Sequence, residues 1–206
     1  MLLADLLADP DTASEEILRE SCSHLGRSLD LLSRVLHHSP PVSPRPVSIR
    51  ESLHFIEDLH RAARTPARLE LAIEPSVQPA AGVEGYLEHA LLNLVLNSLE
   101  ALQDREEGLI RITARNEGHT VEIAVADNGP GVAPGLVGRL FQASVTTKTG
   151  GQLVGLGLLV ASEVLRLSGG RLTYAPASNP GARFVITLPH WRDEAPRAGD
   201  YGPDAG

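Results

Sequence analysis

Asn93 and Asn97 stand four residues apart in HALLNLVLNSLEAL, so on a helix they share one face, with Leu91, Leu92, Leu94, Val95, Leu96 and Leu99 around them. A buried amide is costly unless it is hydrogen-bonded. Such a pair either ties two helices together or offers carbonyl oxygens to a hard cation such as Mg²⁺ beside phosphates. A second group lies in VEIAVADNGPGV, where Asp127 ends an apolar strand pattern and Gly129 and Gly131 follow. Asn-Gly and Pro-Gly are turn dipeptides, so a tight turn accounts for the glycines. A carboxylate at the edge of a core still needs a donor. An adenine exocyclic amine is one, and the glycines would let a flat ring approach the backbone. In the third group, VGLGLL, Gly155 and Gly157 open an apolar helical pattern. Backbone N–H groups at a helix start attract anions, although a hinge or close helix packing would also use these glycines.

These groups need elements to position them. The helix bearing the two asparagines is expected over 83–102. Leu69, Leu71 and Ile73 alternate with polar neighbours in a strand at 67–74, and the runs 109–116 and 120–127 form a hairpin around a short Glu-Gly-His connection. Residues 128–154 form a long loop with one helical turn at 135–141, of the kind that serves as a lid. A helix over 156–170 stops at Gly-Gly, and RLTYAP and RFVITLP supply the last two strands around a turn at 178–181. Ahead of all this, Leu18, Cys22, Leu25, Leu29, Leu32 and Leu36 step by 4, 3, 4, 3 and 4, a heptad seam that prefers a partner helix. Residues 39–48 hold four prolines in ten positions and read as a linker. Helical spacing resumes at Ile49, Leu53, Ile56 and Leu59. Strands and helices do not alternate regularly, so the expected class is α+β: a two-layer sandwich with a mixed sheet and helices on one face, preceded by a coiled-coil-like helix. The divisions are 1–38, a partial helical hairpin; 39–48, the linker; 49–190, the catalytic candidate; and 191–206, a frayed tail.

Composition sets limits. Aromatics are 3% of 206 residues against 42% hydrophobic, so the core is aliphatic. A formal net charge of −8 argues against general nucleic-acid binding. It leaves room for an anion site built from backbone N–H groups. Cys22 is the sole cysteine, which allows no internal disulfide and fits a reducing compartment. No apolar run has the length of a membrane span, so a cytoplasmic location is expected, with a longer membrane-anchored parent left open.

The order of these groups resembles the Bergerat-type ATP-binding domain shared by gyrase, MutL and histidine kinases, and its wording is most similar to histidine kinases. NLVLNSLEAL resembles the N box, and VADNGPGV the G1 box. LFQASVTTKTGGQLVGLGLLVASEVLRLSGGRL resembles the F box, lid and G2 box, and GARFVITLP the closing strand. The resemblance implies ATP and Mg²⁺ as cofactors. Asn97 would coordinate Mg²⁺, with Asn93 supporting the phosphate site. Asp127 would bond the adenine amine in a pocket shaped by Gly129, Gly131 and Val132. Phe141, Thr146, Thr147 and Lys148 would belong to the lid, with Lys148 able to meet a phosphate. Gly155, Leu156, Gly157 and Leu158 would cradle the phosphates.

Departures from the family pattern carry information. The ATPase members place a glutamate one helical turn before the metal-binding asparagine as a base for water, and here that place is Asn93. An amide cannot take that proton near neutral pH. Glu88 and Glu100 lie nine residues before and three after Asn97, so the site suits transfer of the γ-phosphoryl to a side chain. Leu153 and Val154 replace the usual small residues before GLGL, and Ala182 replaces a threonine near the base. No His-Glu-x-x-x-Pro-like segment precedes the seam helix, and His24 stands outside that context. The phosphoacceptor histidine is therefore expected on a dimerisation hairpin outside this chain, with a response-regulator receiver domain as the next acceptor and a homodimer if the hairpin is complete. Two other readings stay open: a degenerate nucleotide-binding, phosphotransfer or scaffold module, and an anti-sigma-type serine kinase.

Overall fold

The computed structural model describes residues 44–83, 85–141, 156–176 and 180–192. The seam helix, the first part of the proline-rich stretch, the greater part of the expected lid and the tail beyond Arg192 lie outside them. Among the described residues, seven strands and four helices run in the order β1 (Arg45–Val47), α1 (Ile49–Ala62), β2 (Arg68–Ile73), β3 (Ala80–Gly82), α2 (Tyr86–Ala101), β4 (Leu109–Glu117), β5 (Thr120–Asp127), α3 (Pro134–Val137), α4 (Leu156–Leu167), β6 (Arg171–Tyr174) and β7 (Arg183–Pro189).

The main sheet has the order β2-β4-β5-β7-β6. β2 pairs with β4 in parallel and the other pairs are antiparallel, so the expected mixed sheet and α+β class hold. Alternation assigns the two faces. Ile110, Ile112 and Ala114 of β4 and Val121, Ile123 and Val125 of β5 are buried in one core with Leu91, Leu94, Val160 and Val164 of the helices. The opposite face carries an ion-pair ladder. Arg111 reaches Glu70 at 2.9 Å, and Glu122 takes both Arg115 and Arg183 at 3.2 Å. Exposed pairs of this kind add little stability each; Ala124 and Val185 on this face are nevertheless buried.

α1 starts at Ser48, whose hydroxyl accepts the Glu51 N–H. It buries Ile49, Leu53 and Ile56 and leaves Phe55 outside. α2 is the central helix, with Leu87, Ala90, Leu91, Leu94 and Val95 buried. α4 lies along it and ends at Gly169 and Gly170, whose N–H groups return to the carbonyls of Arg166 and Leu165.

One boundary is corrected. Residues 45–47 are not linker: they form β1, antiparallel to β3, a strand that the sequence pattern does not announce either. Pro46 fits because a two-stranded ribbon has only edge strands, where a missing N–H costs little. The ribbon is fastened to the end of β7 by the Ala80–His190 bridge and by the Trp191 N–H on the Pro79 carbonyl at 2.9 Å. Among the described residues, no helix is long and apolar enough to cross a membrane.

Candidate functional site

The two-residue period of β5 puts Asp127 on the same face as Val121, Ile123 and Val125, so its carboxylate emerges on the helix side at the strand's end. It is 9% exposed. Oδ1 accepts the N–H groups of Gly129 at 2.9 Å and Ala182 at 3.1 Å, and Oδ2 accepts the hydroxyl of Ser98, on α2, at 3.2 Å. Three donors from three parts of the chain offset the cost of burying the carboxylate. A carboxylate has roughly four acceptor positions, so the bonds formed within the protein leave capacity for a ligand donor.

The backbone around Asp127 is set as tightly. Its N–H bonds the Ala182 carbonyl at 3.0 Å. Gly181, at φ 138°, lies so close that a Cβ there would collide with the Asp127 carbonyl oxygen, and a Cβ on Gly131, at φ 76°, would come within 2.8 Å of the Gly181 oxygen. The glycines of DNGPGV thus pack against the turn entering β7. Asn128, at the same end of the sheet, ties β5 to the neighbouring strand. Its amide accepts from Leu109 N–H and donates to the Glu107 carbonyl, both at 2.8 Å, and so locks the start of β4.

Asn93 is 7% exposed, and its Nδ2 donates to the His89 carbonyl of its own helix at 3.1 Å. A Cβ on Gly157 would stand 2.8 Å from the Asn93 Oδ1, so α4 begins directly against this amide. Asn97, one turn further, is half-buried and makes no side-chain hydrogen bond to another described residue. Glu88 is turned to α1, accepting the Ser52 hydroxyl at 2.5 Å. Among the described residues, no cluster of three or more His, Cys, Asp or Glu could hold a metal by itself. A cation here would need one amide oxygen plus ligands brought by a substrate, which fits Mg²⁺.

The structure brings together Asn93, Asp127, Gly129, Gly131 and Gly157 through these contacts, and Asn97 through its neighbour Ser98. Val132, Phe141 and Leu158 are half-buried against the core, and Leu156 is the first residue of α4. Thr146, Thr147, Lys148 and Gly155 lie outside the described residues. Sequence reasoning missed Ser98. Its one signal was a hydroxyl in a leucine-rich helix directly after Asn97. Away from this region, burial pushes the His60 imidazole below its usual range, and hydrogen bonds from Arg111 and then Arg68 hold the Glu70 carboxyl low.

Over residues 82–192 the sequence matches the family described as "Histidine kinase-, DNA gyrase B-, and HSP90-like ATPase". It is 30% identical over 224 residues to the sensory histidine kinase/phosphatase NtrB of Rhizobium leguminosarum bv. phaseoli, a match that covers 98% of this chain and 57% of that protein. The crystal structure of full-length ShkA in complex with AMPPNP aligns with a TM-score of 0.65 and 30% identity, over 92% of this chain and 41% of that one. The catalytic domain of histidine kinase ThkA aligns with a TM-score of 0.63 over 72% of this chain and 97% of that one. At 23% identity it supports the fold alone. This chain therefore spans only part of the longer proteins it resembles.

Proposed function

The chain belongs to the histidine kinase-, DNA gyrase B- and HSP90-like ATPase family, and on that premise we propose that it binds Mg-ATP as the catalytic domain of a two-component sensor histidine kinase. It transfers the γ-phosphoryl group to a histidine on a dimerisation hairpin outside this chain, from which a receiver-domain aspartate takes it. The observation that carries this reading is the Asp127 carboxylate, buried at the end of β5 and aimed by the donors on both of its oxygens.

In this reading Asp127 accepts the adenine amine, and the backbone around Gly129 and Gly131 borders the ring. Asn97 supplies an amide oxygen to Mg²⁺. When bound, the ion would supply positive charge that offsets the charge of the phosphates. Asn93 seats the start of α4, whose N–H groups, beginning at Leu156 and Gly157, face the phosphates. Thr146, Thr147 and Lys148 close over them, with Lys148 meeting a phosphate. Phe141, Val132 and Leu158 line the apolar part. Neither Asn93 nor Glu88 is set to act as a base for water: Asn93 is an amide whose donor group is spent on His89, and Glu88 is turned to Ser52. The protein's contribution is positioning and charge neutralisation.

The test is incubation with γ-labelled ATP and Mg²⁺, alone and with an intact dimerisation hairpin of the NtrB type. Acid-labile label on the hairpin alone is the expected result. Label on the chain by itself would make one of its own histidines the acceptor. Acid-stable label would assign the serine-kinase reading, and nucleotide binding without transfer to any supplied hairpin would assign the non-catalytic one.

A further inference from the structure

Two serine hydroxyls bond a carboxylate on another element, those of Ser52 and Ser98. Ser52 reaches Glu88 at 2.5 Å while also touching the Ser48 carbonyl of its own turn at 3.0 Å. Ser168, just past α4, only turns back to Val164 at 3.2 Å, a common use of serine. Ser98 makes no such back-bond. Its hydroxyl crosses from α2 to β5 and donates to Asp127 Oδ2. Ser98 is 3% exposed, too buried to touch a ligand itself. The two oxygens of Asp127 are therefore held differently. Oδ1 is fixed by two backbone N–H groups, which no side-chain substitution removes. Oδ2 has Ser98 as its one partner among the described residues. Position 182, on the other side of the carboxylate, is an alanine and brings no hydroxyl.

We infer that Ser98 is a positioning residue for base selection: its hydroxyl fixes Asp127 Oδ2 as the acceptor that a 6-amino purine needs and a 6-oxo purine cannot use. The inference rests on the ATP-binding reading above. A 6-amino group donates to a carboxylate oxygen. A 6-oxo group presents a second acceptor to the same oxygen and is repelled, and sites built around such a bond discriminate strongly. Without the Ser98 donor the carboxylate can turn about its last torsion, which is broad for aspartate, and the amine loses its aligned partner. Ser98 also follows Asn97 directly, so one step along α2 joins the base-reading carboxylate to the amide offered to the metal.

The experiment is displacement of a fluorescent ATP analogue from the full chain by Mg-ATP and by Mg-ITP, for wild type and Ser98→Ala. Wild type prefers ATP. Ser98→Ala weakens ATP about tenfold, the size of one hydrogen bond to a charged group, and ITP less than about twofold. An unchanged ATP/ITP ratio in the variant, or equal loss of both nucleotides, overturns the role of Ser98 and leaves the ATP reading standing. Equal wild-type affinity for both nucleotides, or none for either, overturns both. If Ser98→Ala does not fold, Ser98→Cys keeps the volume with a weaker donor and is read by the same ratio.

Discussion

Asp127 is gripped by donors from α2, from the turn after β5 and from the entry to β7. Asn97, whose neighbour Ser98 is one of those donors, is half-buried and makes no side-chain hydrogen bond among the described residues. The two chemical groups nearest the centre of the site are thus held in opposite ways. A carboxylate that reads a rigid heterocycle must already point correctly, because misalignment costs selectivity. An amide oxygen that meets a metal carried by flexible phosphates gains from lone pairs left open. Under the proposed reading, the base end is preorganised by the protein and the phosphate end is left for the ligand to complete.

The sharpest way to break the preorganised end is through its backbone. Gly181→Val adds a Cβ against the Asp127 carbonyl oxygen at a φ that side chains avoid. It should lower the unfolding free energy by about 3 kcal/mol or more, read as a falling urea midpoint; an unchanged midpoint would show the turn yields freely. The open end responds to Asn97→Ala. Phosphoryl transfer should drop about 100-fold, while adenine-nucleotide affinity in EDTA stays within about threefold; equal loss in both conditions would remove Asn97 from the metal. A smaller effect is expected where the ends meet. Gly157→Ala crowds the Asn93 oxygen and should cost about 1 kcal/mol. Adding Asn93→Ala should relieve part of that cost, and simple additivity in the double-mutant cycle would deny the contact. The smallest change lies on the open sheet face. Arg111 and then Arg68 lower the Glu70 pKa, so the pair's contribution is present at neutral pH and is lost as pH falls through that lowered value. Glu70→Gln should remove this part of the acid dependence and leave nucleotide binding unchanged; an identical acid-unfolding profile would refute it.

The base end was largely legible in the sequence because its signals are local. Alternation in TVEIAVAD gives the strand and the face of Asp127, and Asn-Gly and Pro-Gly give the turn. The contact of Gly157 with Asn93 is not legible in the sequence, since the two lie on separate helices far apart and no local rule joins them. Ser98 escaped notice because its partner lies 29 residues away on another element. The ribbon of β1 and β3 escaped for a different reason. Three-residue strands such as RPV and AAG are too short to show a period, and proline content argued for a linker. Tertiary fastening at His190 and Trp191, not local pattern, makes those residues strands.

The central claim is that Asp127 reads an adenine amine, and Asp127→Asn tests it most directly. The isosteric amide can keep its oxygen toward the Gly129 and Ala182 N–H groups, while its nitrogen replaces Oδ2 and the Ser98 hydroxyl rotates to accept. The fold is retained, and the site presents a donor where it presented an acceptor. Titration of the variant with Mg-ATP and Mg-ITP should show ATP weakened by at least about 100-fold and the preference shifted toward ITP. ATP affinity equal to wild type would contradict the account.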